Sequence, residues 1–160
     1  MFSEELFHPA VSHFPISLLT LVFFTKLAQF IVTKKYKELA VSLNIISKFL
    51  LTLGAIFLIP TIFLGDMAFD IVKNDICNIV MGYQHEELSH YTLIIFIFAL
   101  TLDILPSIRP IPIKFHTLYQ IALILCLGWG NFYLFKTAQL GGKLVYEQGA
   151  GVKHKTSCKN

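Results

Sequence analysis

Charge is what this chain has least of. Asp, Glu, Lys and Arg make up 14% of its 160 residues, while 55% are hydrophobic. A soluble domain carries about 25% charged residues, and it needs them to clothe its surface. The shortage excludes a typical cytoplasmic enzyme, a disordered chain and a basic nucleic-acid-binding domain. Cysteine is scarce as well: three residues are too few for a disulfide scaffold. A net charge of +3 is too small to argue for a polyanionic partner. No P-loop, dinucleotide fingerprint, hydrolase elbow, CxxCH haem-attachment motif or HExxH zinc motif is present, and HEELSH at 85–90 has the wrong spacing for the last. With no hydrolase or transferase motif, whether the chain is an enzyme stays open. No internal repeat or low-complexity stretch is read from the sequence.

What is there is long apolar runs, with a mean hydropathy of +0.66 and 15 Phe. A membrane helix needs about 20 mostly apolar residues. Four runs qualify, with spans at about 9–33, 43–65, 87–105 and 117–140 and a tail at 141–160. Lys34, Lys35 and Lys37 end the first. Gly65-Asp66 end the second, Pro106 the third and the Gly141-Gly142 pair the fourth, through lost backbone donors or a left-handed exit. The first run has Glu4 and Glu5 in place of a basic n-region and no A-x-A-type cleavage site, so it is expected to remain as a helix. Short loops then predict one domain over 1–160. It is an all-α, integral membrane four-helix bundle running up-down-up-down, with the first and third spans diagonal to one another.

Lys and Arg in the short loops set the orientation. Lys34, Lys35, Lys37, Arg109 and Lys114 sit on one side, while the second loop is acidic and residues 1–6 hold no Lys or Arg. This predicts both termini outside, in the periplasm of a bacterium with the chain in its inner membrane. Lys143, Lys153, Lys155 and Lys159 argue the other way. Lys26 and Lys48 are expected to snorkel toward the basic side. Cys77 and Cys158 fall on the same outer side and could pair in an oxidising compartment.

The polar residues collect at one membrane face. His8 and His13 open the first span, Asp66 closes the second, His85 and His90 open the third, and Gln139 closes the fourth. If the first helix starts at Pro9, a favoured position for proline, His13 and His90 lie at matched depth on diagonal helices. Two such imidazoles could hold a haem between them, which predicts a b-type haem near the periplasmic face with His13 and His90 as axial ligands. His8 and His85 would support those ligands from behind or serve a second site. Asp66, Asn131 and Gln139 would orient the rings or meet the propionates. The same histidines could instead hold a bare transition metal ion, or the chain could be a non-catalytic subunit of a larger membrane complex. Beside these stand plainer roles: histidines at headgroup level, Asn131 as a contact between helices, Cys126 as a small core residue, and Gly128 and Gly130 as close-approach points.

HPAVSHFPIS at 8–17 and LGGKLVYEQGAGV at 140–152 carry a resemblance. The chain resembles a bacterial family of four-helix inner-membrane proteins of unknown function, patterned HPxxxHFPIA at the first helix and GGxLVYxHGxGV after the fourth. Carried over, the family's positions fall on His8, His13, Asp66 and His90, and on Gly141, Gly142, Leu144, Val145, Tyr146, Gly149, Gly151 and Val152. Gln148 stands where the family often has His, and His85 matches no family position. Some members lie beside c-type cytochrome domains, which implies membrane electron transfer with a c-type cytochrome or a quinone as redox partner.

Overall fold

The computed structural model describes residues 6–152. They form four helices, α1 (Phe7–Val32), α2 (Lys37–Val72), α3 (Ile79–Ile108) and α4 (Ile113–Tyr146). Each is long and apolar enough to cross a membrane. α1 packs on α2 and α4, and α3 packs on α2 and α4, while the backbones of the diagonal pairs stay apart. The result is the expected up-down-up-down square. The outer faces carry large apolar side chains, among them Phe24, Phe49, Phe63, Ile94 and Leu125. This is the surface a lipid bilayer solvates. The proposed pairing of Cys77 with Cys158 lies outside the described residues.

One stripe of each helix faces the axis. On α1 it runs His8, Ser12, Pro15, Leu19, Val22, Lys26, and on α3 His85, Ser89, Thr92, Phe96, Ala99, Asp103. On α2 it runs Ser47, Leu51, Gly54, Leu58, Thr61, Gly65, Ala68, and on α4 Leu123, Leu127, Gly130, Leu134, Thr137, Gly141, Leu144. The steps alternate four and three residues, the period of about 3.5 that keeps one seam facing its partners in left-handed packing. The lists also match position by position at a constant offset. H-x-x-x-S-H followed by an aromatic occurs at 8–14 and at 85–91. T-x-x-L-G occurs at 61–65 and at 137–141. The α1–α2 hairpin is therefore repeated as the α3–α4 hairpin about a pseudo-two-fold axis along the bundle, a repeat not read from the sequence.

The helices outrun their apolar spans. Pro106 lies inside α3, Gly65 and Asp66 inside α2, and Gly141 and Gly142 inside α4. None of these ends a helix. At 36 residues, α2 is about 54 Å long at 1.5 Å per residue, against a hydrocarbon core of about 30 Å. It must project into a headgroup region. At the α1 C-terminal end, Lys26 does not snorkel. It is buried, with Nζ 2.6 Å from Asp103 Oδ1 and donating to Asn44 Oδ1 at 2.9 Å. Asp103, on the facing stripe, supplies the partner that makes burial tolerable.

Removing one member of a buried ion pair strands the other charge, at about 3–5 kcal/mol, whereas replacing both by apolar residues is often neutral. Lys26→Met is therefore expected to lower the thermal midpoint in detergent sharply. Lys26→Met/Asp103→Leu should recover most of the loss.

Candidate functional site

The two ends of the bundle differ in chemistry. At the end where α1 and α3 begin, a cavity of about 420 Å³ opens among all four helices. Its wall is mainly apolar, with Pro15, Ile16, Leu58, Ile62, Leu134 and Val145 on it. His8 and His85 enter it from opposite corners, with ring centroids 5.9 Å apart and planes at 86°.

Each ring is fixed in the same way. His8 Nδ1 is 2.9 Å from the Thr61 carbonyl oxygen on α2, and His85 Nδ1 is 2.9 Å from the Thr137 carbonyl oxygen on α4. A carbonyl oxygen only accepts, so Nδ1 carries the proton in both rings. In the neutral imidazole Nε2 then holds a lone pair, the form in which histidine binds metal. One turn beyond each threonine, glycine leaves room for the ring. A Cβ at Gly65 would lie 2.9 Å from His8 Cε1, and one at Gly141 would lie 3.0 Å from His85 Cε1. Close approach to the imidazole, rather than a helix exit, is what these glycines serve.

His13 and His90 are placed otherwise. Both are exposed, and each Nδ1 bonds to its own helix, to the Pro9 carbonyl oxygen at 2.6 Å and the Glu86 carbonyl oxygen at 3.0 Å. Five residues along a helix turn about 140°, so once His8 and His85 face the axis, His13 and His90 cannot share that stripe. Ser12 and Ser89, four residues on, do line the cavity. His13 stands on the cavity wall, while His90 is not among its lining residues. The rings that meet across the bundle are thus His8 and His85, not the pair expected from matched depth.

Asp66 is half-buried on the cavity wall beside His8. Gln139 is exposed and apart from it. Asn131 is buried farther along α4, where its Nδ2 donates to the carbonyls of Leu127 at 2.9 Å and Leu19 at 3.3 Å. It ties α4 to α1 and does not reach the histidines. Among the described residues, no group of three or more His, Cys, Asp or Glu side chains is arranged to hold a metal ion.

The segment after α4 forms part of the cavity wall. Gly149 and Gly151 take φ of 70° and 71°, a region that favours glycine, and Ala150, Gly151 and Val152 line the cavity. Gln148 is buried. Its Oε1 accepts from the Asn78 backbone N–H at 2.8 Å, and its Nε2 donates to Met81 Sδ at 3.2 Å. It is a clamp between the C-terminal segment and the start of α3. Thr61, Thr137, Gly65, Gly141 and Gln148 also shape the site; of these, the sequence pointed to Gly141 and Gln148 alone as site positions, through the resemblance and not as residues beside a histidine. The repeated T-x-x-L-G at 61–65 and 137–141 was the available signal for the first four.

Gly65→Ala is expected to displace the His8 ring and shift its imidazole resonances in detergent-solubilised protein. Gly142→Ala, where an added Cβ meets nothing closer than 4.0 Å, should leave them unchanged. Set against known proteins, the chain matches no family model, no curated protein and no solved structure.

Proposed function

We propose that this chain is a b-type haem protein of the membrane that works in electron transfer, in which the imidazoles of His8 and His85 would hold the haem. The observation behind the reading is the pair of rings at the bundle axis, each with Nδ1–H engaged by a backbone carbonyl and Nε2 available. Outer hydrogen bonds of this kind fix the tautomer and orientation of metal-binding histidines. The 5.9 Å between ring centroids is of the order two imidazoles need to share one metal atom, with metal–nitrogen distances of about 2.0–2.1 Å.

Ligand count favours haem over a bare ion. Two histidines leave a tetrahedral site half empty, whereas haem iron takes only its axial ligands from the protein. The cavity volume of about 420 Å³ lies within the roughly 300–1,000 Å³ of ordinary ligand pockets. The N-termini of α1 and α3 point toward this end, where helix dipoles favour anionic groups such as propionates. When bound, haem supplies one-electron chemistry. The chain's own residues would hold the rings (Thr61 and Thr137), make room for them (Gly65 and Gly141) and limit water entry (Gln148 to Val152).

The lysine distribution supports an inner-membrane setting in a bacterium with this face and both termini in the periplasm. A c-type cytochrome or a quinone would then be the redox partner. The reading predicts a Soret band and a reducible spectrum in protein purified from haem-replete cells. His8→Ala and His85→Ala should each abolish the band while His90→Ala keeps it. A colourless protein overturns the proposal, and one that is colourless but retains metal after dialysis points to the bare ion.

A further inference from the structure

At the end of the bundle away from His8 and His85, positive charge is in excess. Lys34, Lys35, Lys37, Arg109 and Lys114 are all exposed there, where α1 and α3 end and α2 and α4 begin. Among the described residues, Glu38 is the only exposed carboxylate beside them. Lys48 differs from these lysines. It lies within the apolar length of α2, eleven residues beyond Lys37 and about 16 Å along the helix.

Lys48 does reach toward the basic end, as expected of a snorkelling lysine. Its Nζ donates to Ser107 Oγ at 2.9 Å, across the seam between α2 and α3. Ser107 is the penultimate residue of α3 and is exposed. Serine is a neutral partner, and Asp103 is already matched by Lys26. Lys48 forms no ion pair among the described residues. An ammonium on a membrane-facing seam is costly without a counter-charge.

The donors left over point to the anion. The ammonium has two further N–H groups, and Ser107 Oγ, which accepts from Lys48, keeps its own proton to give. Three donors and one unmatched positive charge suit a phosphate oxygen. The flanks select which phosphate. Ile45 and Phe49 stand beside Lys48 on α2, and Ile104 and Ile108 beside Ser107 on α3, all exposed. Acyl chains would cover them, whereas a free phosphate gains nothing from them. The surrounding lysines and Arg109 repel a headgroup that carries its own cation and attract one of net negative charge.

We infer that Lys48 and Ser107 hold the phosphate of an anionic phospholipid at the α2–α3 seam, its acyl chains lying along the apolar side chains on either side. The inference does not rest on the haem reading and needs no absorption spectrum for its test.

The test uses the full chain in detergent, with dioleoylphosphatidylglycerol, dioleoylphosphatidylcholine and inorganic phosphate as probes and native mass spectrometry as readout. Phosphatidylglycerol should bind saturably and at least tenfold more tightly than phosphatidylcholine, and inorganic phosphate should not displace it. Lys48→Gln should weaken it roughly tenfold or more, the loss of a charged hydrogen bond. Ser107→Ala changes no charge and alters only an exposed side chain, and should weaken it about threefold to tenfold. Lys114→Gln, which removes the same charge elsewhere at this end, should have a smaller effect than either. Equal binding of the two lipids overturns the inference and leaves an ordinary lipid annulus. Displacement by phosphate overturns it in favour of a free-phosphate site. An unchanged affinity in Ser107→Ala, or a loss in Lys114→Gln as large as that in Lys48→Gln, overturns it in favour of diffuse attraction to a basic surface.

Discussion

A helix in lipid has one place for a polar side chain that must not meet hydrocarbon: the stripe that faces its partners. That constraint organises this protein. Outside the stripes, the spans are faced by Phe, Ile and Leu. On them sit His8, Ser12 and Lys26 of α1 and His85, Ser89 and Asp103 of α3. Because the inward period is about 3.5 residues, a group either falls on the seam or is turned well away from it. His85 and His90 show both outcomes within two turns of one helix.

The sequence carried the architecture plainly, since length, hydropathy and short loops suffice to define four spans and their up-down order. It also located the polar end of the bundle, because any such order brings those four helix ends together. What it did not disclose was rotation about each helix axis. Matched depth placed His13 opposite His90, but depth is a coordinate along the helix and says nothing about azimuth. The buried pattern through Pro15, Leu19, Val22 and Lys26 supplies the azimuth, and traced backward it reaches Ser12 and His8. Glycine was misread for a related reason. Gly65 and Gly141 looked like stops, yet a glycine inside a membrane helix also marks where something large approaches, here an imidazole edge.

The repeat gives the site its form. Two copies of a hairpin set the same threonine carbonyl and the same glycine against the same histidine, so the cavity receives equivalent rings from opposite corners. At the other end the two hairpins differ, and one position carries a cation where its counterpart carries an anion. A bundle with alike halves thus offers two unlike chemical environments, separated by a close-packed middle of Leu19, Leu51, Phe96 and Leu127.

That divergence bears on how the halves recognise one another during membrane insertion. Two leading hairpins meeting in lipid would oppose Lys26 to Lys26, and two trailing hairpins would oppose Asp103 to Asp103. Either encounter buries like charges where neither can be hydrated. The mixed encounter alone is electrically neutral. A single pair of residues thereby turns a self-complementary surface into one that distinguishes its own kind from its complement, and disfavours the pairing of two leading or two trailing hairpins.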